Sequence, residues 1–238
     1  MNIPTLRIAV SDNFVSQMYN NCSKARFKHY YGDVNFDLKL NNAACSPSNI
    51  STFQKRYPEL VLTRKIVRKS TGNTKRDFSI TEKCIWYSQY DCWKYVSKQQ
   101  HNCIILEHDV MPILGKDILW KEIMNYDYHT FAIVPKIPGS KTYLISEIAG
   151  YVLSPSFARF AIELCCESWA KNTFCSELNT DGAWNEIVKQ GNKTKKFKIM
   201  SREEGYTPGV GLTLNDFKPN QSVSQFTSPL IGTTISHI

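Results

Sequence analysis

An α/β fold is the class this sequence predicts, on three observations. A helix-like segment opened by Ser79, Ile80, Thr81 and Glu82 leads directly into the apolar residues 103–106, which have the length and β-rich character of a buried strand. Helical character resumes after Gly115. Further along, short apolar strands alternate with stretches of helical spacing, the order expected when helices cover a sheet.

The elements follow in order. Residues 6–10 read as the first strand, with Ser11, Asp12 and Asn13 as cap candidates for a helix over 14–31. Residues 41–50 are a loop or turn by composition, and 70–78, polar and holding Gly72, read as a mobile loop. Ser79 or Thr81 caps the next helix, which Ile85, Tyr87, Ser88, Cys92, Tyr95 and Val96 carry to about Gln100. After the strand at 103–106 come strands at 131–134, ended by Pro135, and at 148–153, stopped by Ser154 and Pro155. Residues 157–169 and 182–189 have helical spacing. From about 205 the chain is a loop-rich tail with Pro208, Pro219 and Pro229. One domain over 1–238 is expected, without repeats, heptads or low-complexity segments.

At 42% hydrophobic and 21% charged, the 238 residues suit a folded soluble protein. No apolar stretch approaches the roughly 18 residues of a membrane span, and residues 1–7 lack a signal-peptide layout. The expected compartment is the cytosol, a host's if the chain is phage-encoded. The eight cysteines include no Cys-x-x-Cys and sit mostly in apolar segments, so reduced thiols are expected rather than a disulfide framework or structural zinc. The formal charge is +8, concentrated in Arg64, Lys65, Arg68 and Lys69 running on to Lys75 and Arg76, and in Lys189 to Lys198. Solvated basic loops account for either cluster alone; together they favour a polyanionic or phosphorylated partner.

The chemistry points to the end of the buried strand. Its apolar run stops abruptly at Glu107, His108 and Asp109. In an extended chain Glu107 and Asp109 project to one side and His108 to the other. Two carboxylates at a buried strand end are costly unless paired. Oxygen-rich sites of this kind suit Mg²⁺ or Mn²⁺, with a substrate phosphate completing the shell. A strand that has simply reached solvent, its acids paired with lysines, is the competing account.

Ser88, Gln89, Tyr90, Asp91, Cys92 and Trp93, followed by Ile104 to Val110, resemble the core of glycosyltransferase family 25. There a helix bearing Ser-His, with Trp four residues after the His, leads into a strand ending Leu-Glu-Asp-Asp-Val. Gly150 to Arg159, with its Tyr-Val-Leu-Ser-Pro core, resembles the family's strand-to-helix element. Asp181 stands where the family has an Asp before its next helix, and Ser224, Gln225 and Gly232 to Ile235 are similar to its C-terminal ending. The likeness covers roughly 79–190. It departs at Gln89, which replaces His; at Cys84, one place from the expected Cys; and at His108, which replaces the middle Asp. That acid-His-acid form is similar to the shorter, phage-type members.

The resemblance implies a GT-A-like, Rossmann-type α/β/α sandwich with a mixed central sheet. It implies a nucleotide-sugar donor, a UDP-sugar before others, and Mn²⁺ or Mg²⁺. Asp109 is then the primary metal ligand and Glu107 a second, acting through water or on sugar or ribose hydroxyls. His237 is a third ligand candidate, although a terminal His needs no such role. Ser11 and Asp12 fall where base and ribose would be read, though turn capping explains them equally; Ser88 is a further binding candidate that with Trp93 braces the helix against the metal strand. Asp181 is the general-base candidate, with helix capping as its ordinary alternative and Glu147 in reserve. The expected acceptor is a hydroxymethylated base in phage DNA, or alternatively a saccharide of lipopolysaccharide type. A metal-dependent nuclease and a non-catalytic nucleic-acid-binding protein rank below.

Overall fold

The computed structural model describes residues 1–201 except 33, 42–43, 70–71, 111–119, 136–142, 167 and 171–172; the side chains of some further strand residues, Glu147 among them, are also outside what is described. The chain opens with β1 (Asn2–Ile8), α1 (Phe14–Tyr30), β2 (Asn35–Asn41) and α2 (Ile50–Arg56). A β3 (Arg64–Lys69) and β4 (Gly72–Asp77) hairpin follows, then α3 (Ile80–Val96) and β5 (Cys103–Glu107). Next come α4 (Trp120–Ile123), β6 (Tyr128–Pro135), β7 (Tyr143–Leu153) and α5 (Pro155–Cys166). The described chain closes with β8 (Ser168–Ala170), β9 (Thr173–Phe174), α6 (Thr180–Thr194) and β10 (Ile199–Met200).

The expected α/β class is observed. Six strands form one mixed sheet in the order β10-β6-β7-β5-β1-β2. β1 pairs in parallel with β2 on one side and β5 on the other, while β7 runs antiparallel to both β5 and β6. Alternation along the strands divides the interior. Ile3, Ile104, Leu106 and Val152 pack with Phe27 of α1 and Trp120 of α4 on one face. Leu6, Ile8, Cys103, Ile105 and Leu153 pack with α3, α5 and α6 on the other.

Local chemistry explains the helix boundaries. Asn13, not Ser11 or Asp12, caps α1, its side chain accepting Ser16 N–H. Ser79 and Glu82 form a reciprocal capping box at the start of α3. Nearly every side of α3 is covered, including Trp86, Tyr90 and Trp93, because the helix lies between the sheet and outer elements. Trp93 meets Trp184 of α6 at 4.7 Å, and Tyr128, Tyr151 and Phe157 surround Trp184 at 5.3–5.9 Å.

Several elements depart from expectation. β2 and α2 were not anticipated. The supposed loop at 70–78 contains β4, whose ladder with β3 runs from Arg64↔Asp77 to Lys69↔Gly72, and Gly72 takes the positive φ of 121° that closes the hairpin. Main-chain pairing made this strand, not apolar patterning. Trp169 lies in β8 rather than in a helix extending from 157. The tail from about 205 lies outside the described residues. Among those described, no helix is long and apolar enough to cross a membrane.

Gly191 lets α6 approach α5: a Cβ there would lie 2.5 Å from the Phe157 ring and 3.0 Å from Ile199. Gly191→Ala should gain about 1 kcal/mol of helix propensity but lose more to overpacking, about 1–3 kcal/mol. A urea unfolding midpoint below that of the wild type is expected; an increase would show that the helices can separate freely.

Candidate functional site

β2 and β5 flank β1 on opposite sides, so the chain reverses its direction of travel across the sheet between β1 and β5. Ligands in open α/β sheets bind outside the carboxyl ends of the strands at such a switch point. The register Ile8↔Glu107 puts the strand-end acid directly beside the end of β1. A slot of about 40 Å³ opens here, lined by Ile8, Val10, Cys45, Ser88, Gln89 and Glu107 among others. That volume takes one small group, so a nucleotide would have to lie mostly outside it, across the adjoining surface.

Glu107 ends β5 and the chain turns at once, so the extended alternation expected through Asp109 does not continue. His108 nevertheless packs on the α1 side, its ring 6.4 Å from Tyr19, and is 1% exposed. Burial lowers its pKa against the pull of Asp109 and the Ile8 backbone, and neither ring nitrogen has a regular hydrogen-bond partner. A strut fixes this turn from below. Buried Arg7 donates to Ser23 Oγ at 2.7 Å and lies over the Phe27 ring, while the Ser23 hydroxyl bonds the Val110 carbonyl. Burial brings the Arg7 guanidinium down to about 10, and its Nε and Nη2 have no partner.

The acids converge electrostatically. Burial raises Glu107 well above its ordinary range, and the charges of Asp109 and Asp181 push it further. Burial also raises Asp109, which is 8% exposed. Asp181 is open to solvent, yet the surrounding protein desolvates its carboxyl enough to raise it too. The cap of α6 is Asn179, which accepts Gly182 N–H at 3.2 Å. Asp181 therefore sits inside the first turn without the capping role that was its ordinary explanation.

A buried relay orients Glu107. Trp93 Nε1 donates to Tyr151 Oη at 2.8 Å, and Tyr151 Oη donates to Gln89 Oε1 at 2.7 Å. Burial keeps the Tyr151 hydroxyl protonated and hence a donor. With Gln89 Oε1 committed, its Nε2 points to the Ile148 carbonyl at 3.2 Å and to Glu107 Oε1 at a long 3.4 Å. Gln89, noticed in the sequence only as a departure from a resemblance, is thus the residue that holds the acid. Its signal was its place two turns before the end of the capped helix preceding the strand.

The other candidates fall as follows. Ser11 and Asp12 lie exposed on the turn after β1. Asp12 accepts the hydroxyls of Ser48 and Ser46, which hold it below its ordinary range. Ser88 is buried and accepts Cys45 N–H at 2.8 Å, so it joins α3 to residues 44–46 and not to β5. Trp93 likewise reaches Tyr151 on β7 and not the acid-bearing strand. Glu147 belongs to β7, with its side chain outside the described ones, and His237 lies outside the described residues. Among the described residues, no group of three or more His, Cys, Asp or Glu side chains is arranged to hold a metal ion. Glu107 and Asp109 offer two carboxylates, which suit a cation that keeps waters and takes the rest of its shell from phosphate oxygens. Compared with known proteins, the chain matches no family model and no curated sequence.

Two outcomes follow. A carboxyl whose folded pKa is raised contributes stability below its unfolded pKa, and this is lost as pH rises through the folded value. Glu107→Gln removes that loss, so it should raise the metal-free melting temperature at pH 8, with the gain vanishing towards pH 4; an unchanged difference across pH would contradict the buried repulsion. Tyr151→Phe strands the Trp93 N–H and frees Gln89 to flip, and should cost about 1–3 kcal/mol in urea unfolding. A neutral result would dissolve the relay.

Proposed function

We propose that the chain is a metal-dependent glycosyltransferase with a GT-A-like, Rossmann-type arrangement, moving a sugar from a nucleotide sugar to an acceptor hydroxyl. The observation that carries this reading is the position of Glu107 and Asp109 at the end of β5, beside β1 at the switch point, with Asp181 near enough for its charge to act on Glu107. Acids held close enough to repel one another fit a site whose charge is balanced by a divalent cation, Mn²⁺ or Mg²⁺. The resemblance of residues 79–190 to glycosyltransferase family 25 supports the same chemistry.

In this reading Asp109 is the primary ligand and Glu107 the second, held in place by Gln89. A bound divalent cation would offset the negative charge that builds on a departing nucleoside diphosphate. In the same reading Asp12, whose carboxylate accepts the hydroxyls of Ser46 and Ser48, also accepts hydrogen bonds from the ribose hydroxyls. Asp181, raised from its ordinary range and free of capping, takes the acceptor hydroxyl's proton as general base. The acceptor that the +8 charge favours is a hydroxymethylated base in DNA. A saccharide acceptor is the alternative.

Incubation with a panel of nucleotide sugars and Mn²⁺ should release nucleotide from at least one donor, a UDP-sugar first. Asp109→Ala should lower that release ~100-fold or more while the protein stays folded. Absence of turnover across the whole panel, or full activity in Asp109→Ala, would overturn the assignment.

A further inference from the structure

The hairpin of β3 and β4 is a two-stranded ribbon paired only with itself among the described strands, and every residue of β4 is exposed. Between Arg64 and Asp77 it carries six basic residues against a single acid, a net +5 of the chain's +8. More than half of the net charge thus sits on this hairpin, which rests on the core through Ile66 of β3 and exposes β4. Its base is tied to the body by ion pairs: Lys65 and Arg76 with Glu82, and Lys75 with Glu177. Arg64 lies 3.8 Å from Asp77, both side chains largely in solvent. This exposed pair is weak, and phosphate oxygens can replace its carboxylate.

The tertiary structure also brings one residue of each basic cluster, Lys65 and Lys189, to a common groove, although the sequence keeps them more than a hundred residues apart. A groove of about 310 Å³ separates the ribbon from α6, with Lys65 and Val67 on one wall and Asn179, Asn185, Glu186 and Lys189 on the other. Lys189 begins the second cluster, which continues through Lys193, Lys195, Lys196 and Lys198 without an acid. Asp181 stands on the first turn of the same helix, next in the chain to Gly182 of this groove, and its charge acts on Glu107.

We propose that the β3–β4 ribbon and the facing wall of α6 form a docking surface for duplex DNA. A two-stranded ribbon is narrow enough to enter the major groove, about 12 Å wide. Lys189 of α6, 3.7 Å from Glu186 and 40% exposed, then turns to a flanking phosphate, and the amides of Asn179 and Asn185 offer neutral donors beside it. As the seat of the acceptor, this surface rests on the transferase reading and delivers a DNA base towards Asp181. As a DNA-binding surface it is measured with neither donor nor metal present.

The experiment is fluorescence anisotropy of the full chain with an unmodified mixed-sequence duplex over a range of salt. The test variant is Arg64→Ala/Lys75→Ala/Lys189→Ala. The control is Lys28→Ala/Lys98→Ala/Lys121→Ala, which removes the same charge from exposed positions on other elements. Each lost phosphate contact lowers the slope of log K against log salt by about 0.9, so the test variant should flatten it by about 2–3 while the control leaves it unchanged. Should the triple variant melt early, Arg64→Ala alone, exposed on the ribbon, should flatten it by about 0.9. Asp109→Ala should bind the duplex like the wild type, so loss of donor turnover without loss of binding separates the two readings. Equal slopes for test and control, no duplex binding near about 50 mM salt, or heparin bound in preference to the duplex with the same dependence on these residues would overturn the proposal.

Discussion

Carboxylates crowded at the end of a buried strand are the constraint around which this molecule is arranged. Glu107 leaves the sheet beside the end of β1, Asp109 follows in the turn, and α6 brings Asp181 within electrostatic reach. Each is pushed towards its protonated form by burial, so their charged forms are unfavourable in the fold and need support from elsewhere. Such local cost is characteristic of sites in which the groups must be ready for a ligand.

The support comes from both faces of the sheet. Beneath the turn, Arg7, Ser23 and the Val110 carbonyl form a polar strut, with His108 packed near Tyr19 on the same side. Above it, the relay through Trp93, Tyr151 and Gln89 holds Glu107 from α3 and β7. The relay is stiff because its members belong to, or adjoin, the aromatic cluster around Trp184, where rings from α3, α5, α6, β6 and β7 meet. Close packing leaves these rings few alternative rotamers, so the acid inherits the rigidity of the core. The same cluster sets α6, and therefore both Asp181 and the wall of the basic groove.

Much of the framework was legible in the chain. Ser79 and Glu82 announce α3, the apolar run from Cys103 announces β5, and Ser154 with Pro155 marks the stop of β7 and the start of α5. β2 carried an alternating signal in Phe36, Leu38 and Leu40 that a stricter period-2 count would have found. α2 had little to offer, since its cap residue Asn49 makes no side-chain cap bond to the helix. β4 had none: all six residues are polar or Gly, and it is a strand only because β3 supplies the ladder. Within the site, the three acids could be picked out individually. Their mutual approach, and the partnership of Gln89 with Glu107, could not.

The sequence by itself determined the alternation of helix and strand, the acid-bearing end of β5 and the excess of basic charge. Those properties reside in local periodicity, in capping and in composition, which need no knowledge of distant residues. Tertiary structure alone decided that β1 and β5 would be neighbours at a switch point, that Asn179 and not Asp181 would cap α6, and that Lys65 and Lys189 would face each other across one groove. These depend on strand order and helix packing, which follow from the fit of many side chains at once, and no single segment of the chain encodes that fit.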